Sequence, residues 1–471
     1  MHRLIQIIVT FTYCAAGSAQ DINLPDFGSP ADSVLNKTQE TQIGRGALMQ
    51  LRSAGALMND ALITEYIKML GAQLVGHASD GTQDFEFFMV DDDAINAFAM
   101  PGGFIGINAG LIMASENESE IAGVLAHEIA HVTQRHLARR VYDNQKTGML
   151  SMATMIATVI LGTATDIGGN AMGGIITATQ AATAQRQINF TRSNEREADR
   201  IGIKTLSSAG FDPSGMGTFF EKLSRKFGSA GPAILRTHPV TTERIAEARD
   251  RARLLPNQQV TSSIDYEIMK ARMDALRTPS SKAAFDVFRR RLQAGSQNIG
   301  DYYGMALSLS RMGLDDDAQD QFEELTREYP GVIAFRIGKA QSLLKNGQVN
   351  AALEVYAKAT QLFPRNTPLT NSYADALITA GDPEAAHDIL LDLLFHSSPT
   401  PEQFRLIAQA ANANGDMGNA HHYMSHYHSS IGNYPDALAQ IQMALRSPGV
   451  NTIDRARFEA ELLTYSPASE D

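Results

Sequence analysis

Thiols are all but absent: Cys14 is the only cysteine in 471 residues. That excludes a disulfide scaffold and any cysteine-rich metal site. Positive charge is scarce as well. Forty Lys and Arg against 52 Asp and Glu leave a formal net charge of −12, so no basic face is on offer and nucleic acid is excluded as a partner. The same balance gives no electrostatic pull towards anionic lipid and mostly favours solubility. Long apolar runs are missing too. Leu4 to Tyr13 is too short to span a bilayer, and the apolar stretch at 148–185 is interrupted by Asp166 and several glycines. What remains, 44% hydrophobic and 20% charged residues, is ordinary for a globular protein and long enough for two or three domains.

The first nineteen residues have the order of a secretory signal. His2 and Arg3 open it, Leu4 to Tyr13 form its apolar core, and Ala15-Ala16-Gly17-Ser18-Ala19 offers small residues for cleavage after Ala19. Such cleavage removes Cys14 and leaves a mature chain without thiols, with no cysteine nucleophile. Phe11-Thr12-Tyr13 before Cys14 lacks the small residues of a lipidation site. Residues 20–36 form an extended leader. Helices are expected over Thr38 to Arg52 and Asp60 to His77, and strands over Phe85 to Val90 and Gly103 to Asn108, with Pro101-Gly102-Gly103 as a turn. A long helix follows to about Arg140, with Ser115 and Glu118 as its capping box. The Met-rich stretch 148–185 reads equally as a flap near a membrane or active site, which would make peripheral membrane contact, and as helices packed on the core.

Beyond Gln258 the chain turns to alanine-rich helical repeats. Ala306, Ala340, Ala374 and Ala408 are spaced by 34, and so are Ala318, Ala352, Ala386 and Ala420. Phe322 and Tyr356 follow the second series by four, Pro330 and Pro364 close two units, Ala284 and Phe288 mark a degenerate earlier one, and Ala437 implies one further helix. Small residues where paired helices cross, a wedged aromatic and a closing proline make the tetratricopeptide pattern. The expected divisions are a signal at 1–19, a first domain at 20–257, a linker and degenerate repeat at 258–298, and the repeats at 299–471.

His127-Glu128-Ile129-Ala130-His131 lies within the long helix. At 3.6 residues per turn the two histidines share a face and can converge on one metal ion, with Glu128 beside it as general base. Glu195 and Asp199, the first of them 64 residues after His131, stand four apart and share a helix face. One carboxylate can complete a His₂Glu zinc site with a fourth position open, and the other can hold the outer nitrogen of a ligand histidine. Glu197 points elsewhere, into solvent, and His136, about 140° further round the helix, faces away from the metal. The strand over Gly103, Phe104, Ile105 and Gly106 reads either as an edge that pairs with extended substrate backbone or as an ordinary internal strand. His421, His422, His426 and His428 cluster in the repeats; they read as a polar helix face, with a second metal site as the alternative.

The paired motifs His127-Glu128-x-x-His131 and Glu195-x-x-x-Asp199, together with Asn96-Ala97-Phe98-Ala99-Met100-Pro101-Gly102-Gly103, resemble the CAAX-prenyl-protease and HtpX-like family of zinc metallopeptidases. The resemblance implies a gluzincin-type α+β metalloprotease domain with a small sheet. The whole chain is then mostly α, the second part being an α-solenoid of tetratricopeptide repeats. It also implies one Zn²⁺ per chain, polypeptide substrates, and a periplasmic role in quality control of outer-membrane proteins, with their assembly machinery as partner. His238-Pro239 and Arg244 are similar to the family's HP…R segment. His238 then either donates to the developing oxyanion or fills the open zinc position at rest, and Arg244 either anchors the loop or binds the transition state.

Overall fold

The structure, a computed structural model, describes residues 30–78, 84–144, 192–227, 231–256 and 260–465. The signal-like residues 1–19 with Cys14, and the Met-rich stretch 148–185, lie outside them. Helix α1 (Lys37–Ser53) starts at a capping box made by Asn36 and Gln39, and α2 (Ala61–Val75) is capped by Asp60. Three short strands follow: β1 (Glu86–Val90), β2 (Ala97–Met100) and β3 (Phe104–Asn108). The Pro101–Gly103 turn works because Gly102 and Gly103 take positive φ of 75° and 89°. A Cβ on Gly103 would lie 2.1 Å from the Asp84 carbonyl oxygen.

The sheet order is β1-β3-β2, with β3 parallel to β1 and antiparallel to β2. This corrects the substrate-edge reading of Gly103, Phe104, Ile105 and Gly106. Residues 104–106 pair on both sides, all four are buried, and none has a free backbone edge for a substrate. The sequence carries the reason: Phe104-Ile105-Gly106-Ile107 has no polar alternation, as suits a strand covered on both faces. The edges belong to β1, which residues 56–58 meet at its C-terminal end, and to β2, for which no outer partner strand is present among the described residues.

After the short α3 (Ala109–Ala114) come α4 (Glu118–Thr133) and α5 (His136–Asn144). The expected single helix to Arg140 is therefore broken. Arg135 takes a left-handed φ of 51°, held by hydrogen bonds to Glu40, to the Leu35 carbonyl and to Asp32. The cap of α4 also differs from the expected Ser115–Glu118 box. Asn117 accepts from the Glu120 amide, while the Ser115 hydroxyl donates to the Ile112 carbonyl. Among the described residues of the first half four more helices follow: α6 (Arg192–Ser208), α7 (Gly215–Phe227), α8 (Ala233–Thr237) and α9 (Thr242–Arg253).

Helices α10 (Ile264–Arg277) and α11 (Ser281–Gln293) lead into antiparallel pairs: α12 (Ile299–Arg311), α13 (Asp315–Glu328), α14 (Ile333–Lys345), α15 (Val349–Leu362), α16 (Thr367–Ala380), α17 (Pro383–His396), α18 (Pro401–Ala413), α19 (Met417–Ser430), α20 (Tyr434–Arg446) and α21 (Thr452–Tyr465). All eight alanines of the two 34-residue series are buried. The wedge has a physical counterpart in the next unit. Phe288 packs against Gly304 and Phe322 against Gly338, where an added Cβ would come within 2.4 Å of the ring in each case. The repeats are not a detached appendage. One hydrophobic core runs from Ile63 on α2 through α4 to Phe335 on α14. Arg272 on α10 binds both Asp60 and the Tyr303 hydroxyl, the latter at 2.8 Å. Further along, Arg52 on α1 reaches the Ser430 carbonyl. Among the described residues no helix is long and apolar enough to cross a membrane.

Candidate metal centre

Every residue of α4 from Glu118 to His131 is buried, which forces two imidazoles into the interior. Close helix packing brings their partners. A Cβ on Gly123 would stand 2.8 Å from the Met216 backbone of α7, and one on Gly202 would stand 3.1 Å from the Ala126 backbone. Because α6 approaches α4 over Gly202, the first turns of α6 deliver Glu195 and Asp199 to the histidine face. The third contribution is the loop after α8, which carries His238.

Four donor atoms converge. Nε2 of His127 and Nε2 of His131 are 3.0 Å apart, and Nδ1 of His238 is 3.3 Å from the first of these. The Glu195 carboxylate approaches His238 Nδ1 at 3.1 Å, and both His127 Nε2 and His131 Nε2 at 3.5 Å. All four side chains are 2% exposed or less. Nitrogen and oxygen ligands about 2.0–2.1 Å from a tetrahedral ion lie about 3.3 Å from one another, which these separations match. Three imidazole nitrogens and a carboxylate facing one another in a dry space repel unless positive charge sits among them. Protons serve in part. Burial opposes the charged form of His127, but hydrogen bonds to Asp199 and Glu195 outweigh it and raise its pKa to about 10. Burial, then the charge on His127, hold His131 well below its usual value. Burial would raise Glu195, yet His238 and His127 keep it well below the usual carboxylate range. The donor set fits a divalent metal.

The supporting carboxylate is where the spacing places it, with Asp199 Oδ1 3.0 Å from His127 Nδ1. Arg244 binds Asp199 through Nε and Nη2 at 2.7 and 2.8 Å, Glu195 through Nη1 at 2.8 Å, and the Pro239 carbonyl at 2.8 Å. One guanidinium thus ties two carboxylates to the His238 loop. Of its two candidate roles, the geometry matches the anchor, because these donors are already engaged. Asp199 sits below its usual range despite burial, held there by Arg244 and His127. Glu128 stays outside the donor cluster. It is 1% exposed, with the Ala99 backbone amide of β2 within its reach. Nε2 of His238 lies 3.5 Å from Glu128 Oε1. Burial raises its pKa, and the His238 and His127 rings offset part of that. A cleft beside the centre is lined by Ala99, Met100, Gly102 and His131.

Two expectations fail together. His136 does not face away, and Glu197 is not a solvated bystander. His136 is fully buried with Nδ1 2.9 Å from Nδ1 of His131, and its Nε2 lies 3.2 Å from Glu197. The 140° extrapolation assumed an unbroken helix, and the kink at Arg135 turns α5 back towards the centre. Burial lowers His136 to about 4, Glu197 compensating in part, so its ring is neutral at pH 7. Only the spacing between the motif and a further histidine hinted at this pair. The contacts that break the helix come from residues about a hundred positions earlier.

Residues 61–252 match the family described as Peptidase family M48, and residues 303–367 and 343–410 match two tetratricopeptide repeat families. The beta-barrel assembly-enhancing protease of Escherichia coli (strain K12) is 34% identical over 444 residues, covering 93% of this chain and 90% of that protein. The putative beta-barrel assembly-enhancing protease of Vibrio cholerae is 39% identical over 324 residues, 67% of this chain and 66% of that one. The metalloprotease LoiP of Escherichia coli is 28% identical over 193 residues, 40% of this chain and 71% of LoiP.

Proposed function

The chain belongs to peptidase family M48, and from that premise we propose that this metalloprotease is a periplasmic zinc endopeptidase acting on unfolded or misassembled outer-membrane proteins, its repeats recruiting clients or assembly machinery. The observation that carries the chemistry is the convergence of His127, His131 and Glu195 with Glu128 beside them. A nitrogen-rich set of two or three imidazoles and a carboxylate suits zinc. When bound, zinc supplies Lewis acidity and makes a nucleophile available near neutral pH. Glu128 accepts the proton of the attacking water on its carboxylate and later delivers it to the leaving amine. Asp199 and Arg244 fix the ring of His127 and the carboxylate of Glu195. The free edge of β2, whose Ala99 lines the cleft with His131, pairs with extended substrate backbone. That choice favours unfolded or frayed polypeptide.

The setting rests on the signal-like residues 1–19 and on relatives named for enhancing beta-barrel assembly. The repeats supply the surface for partners. A second reading is a chaperone or scaffold for outer-membrane protein assembly whose proteolysis is latent. One observation favours it: Nδ1 of His238 faces the other three donors, 3.3 Å from His127 and 3.1 Å from Glu195, as a resting ligand in the place of substrate would.

Degradation of an unfolded casein-type substrate by the purified protein is expected to stop on adding a chelator and to return with zinc. Cleavage that continues after the metal is stripped would overturn the assignment. Asp199→Asn, which weakens the hold on His127, should lower zinc affinity about 10- to 100-fold, as read by competition with a chromogenic chelator. An unchanged affinity would remove Asp199 from the supporting role.

A further inference from the structure

The histidines of α19 do not behave as one polar face. His421 turns to Gln440, with Nδ1 2.7 Å from its Oε1, and His428 turns towards Asp436. His422 and His426, one helical turn apart, point the other way and meet Glu461 of the last helix, α21. Nδ1 of His422 lies 2.7 Å from Glu461 Oε2, and Nε2 of His426 lies 3.4 Å from the same oxygen. The carboxylate is oriented from behind: its other oxygen, Oε1, accepts from the Ser425 hydroxyl at 2.8 Å and from the Tyr465 hydroxyl at 2.7 Å. Oε2 is therefore left for the two imidazoles.

His422 Nδ1 and Glu461 Oε2, both buried, meet each other at 2.7 Å, and a metal ion can take the place of the proton such a pair shares. The rings are held in place from outside. His426 stacks on Phe404 with centroids 5.1 Å apart and planes 18° apart, and His422 leans on Phe458 at 4.9 Å. His422 is 4% exposed, while the His426 side chain, at 35%, leaves the cluster a way out to solvent.

We propose that His422, His426 and Glu461 form a second site, binding one divalent transition-metal ion of the zinc class and clamping α21 onto α19. Two imidazoles at i and i+4 plus one carboxylate from another element are a borderline-soft donor set, suited to zinc, cobalt or nickel rather than magnesium or calcium. Its structural use follows from the burial of α21. Among its described residues Phe458 alone is buried, and a helix with so little apolar burial frays unless something else ties it down.

The test uses the untagged full chain, stripped with chelator, reloaded with zinc, desalted and analysed for metal per chain. Two zinc ions are expected in the unaltered protein, one in His426→Ala and one in His127→Ala. His426→Ala should keep the chelator-sensitive proteolysis of the unaltered protein, which separates this site from the catalytic centre. Amide exchange over residues 452–465 should slow on adding zinc in the unaltered chain and not in His426→Ala. Glu461→Gln, which keeps the side-chain shape and so guards against a folding artefact, should lose the same single ion. One zinc in both the unaltered chain and His426→Ala, or two in both, overturns the proposal.

Discussion

Replacing Glu128 by Gln is expected to reduce peptide cleavage on the order of 10²- to 10⁴-fold while leaving the metal bound and the fold intact. Glu128 sits beside the converging donors without being one of them; its contact there is with His238 Nε2 at 3.5 Å. Losing its charge therefore removes no ligand from His127, His131, Glu195 or His238. Its contact with the Ala99 backbone amide can be kept by the side-chain oxygen of Gln. A buried carboxylate with so few partners is costly to keep, so a neutral amide of the same shape should leave thermal stability unchanged or slightly higher. That combination is what a proton-transfer group predicts and a structural group does not. The measurements are turnover of an unfolded substrate, zinc per chain and a melting curve on one preparation. Turnover within tenfold of the unaltered protein would remove Glu128 from the chemistry. The same variant separates the two readings of function, because any assembly-promoting activity that survives belongs to the repeats.

Periodic features of this chain were open to sequence reasoning. His127 and His131 share a face because a helix repeats every 3.6 residues, and Glu195 with Asp199 obeys the same geometry. The alanines of the repeats are buried at the positions the 34-residue period demands. What escaped depends on contacts between distant segments. Arg135 leaves the helical region because Asp32, Leu35 and Glu40 hold its guanidinium, and nothing within α4 announces that break. From the break follow the return of His136 to His131 and its bond to Glu197. The order of the strands escaped for a similar reason. A short apolar strand reads alike at an edge or in the centre until its neighbours are known, and β3 has one on each side. His238 is an intermediate case. Its place before Pro239 marked a rigid loop, yet only the folded chain brings its Nδ1 to 3.1 Å from Glu195 and 3.3 Å from His127.

Removing the ring of His238 is expected to raise proteolysis, by about 10- to 100-fold if the open state is populated at about 1–10%. In the closed arrangement Nδ1 of His238 completes four donors around one point, leaving no position for a substrate carbonyl or water. A catalytic zinc site needs three protein ligands and one open position, and His127, His131 and Glu195 still supply three after His238→Ala. The loop itself should persist. Arg244 continues to bind the Pro239 carbonyl, and the backbone amide of residue 238 continues to donate to the Ile234 carbonyl. The rival role predicts the opposite sign. An oxyanion donor, once deleted, costs on the order of 10²- to 10³-fold in turnover, so a fall of that size in His238→Ala would discard the resting-ligand reading. Joining His238→Ala to Glu128→Gln supplies the control. If the gain in cleavage comes from opening the centre, it must disappear when the proton carrier is gone; a double variant that still cleaves faster than the unaltered chain would point to a contaminating protease instead.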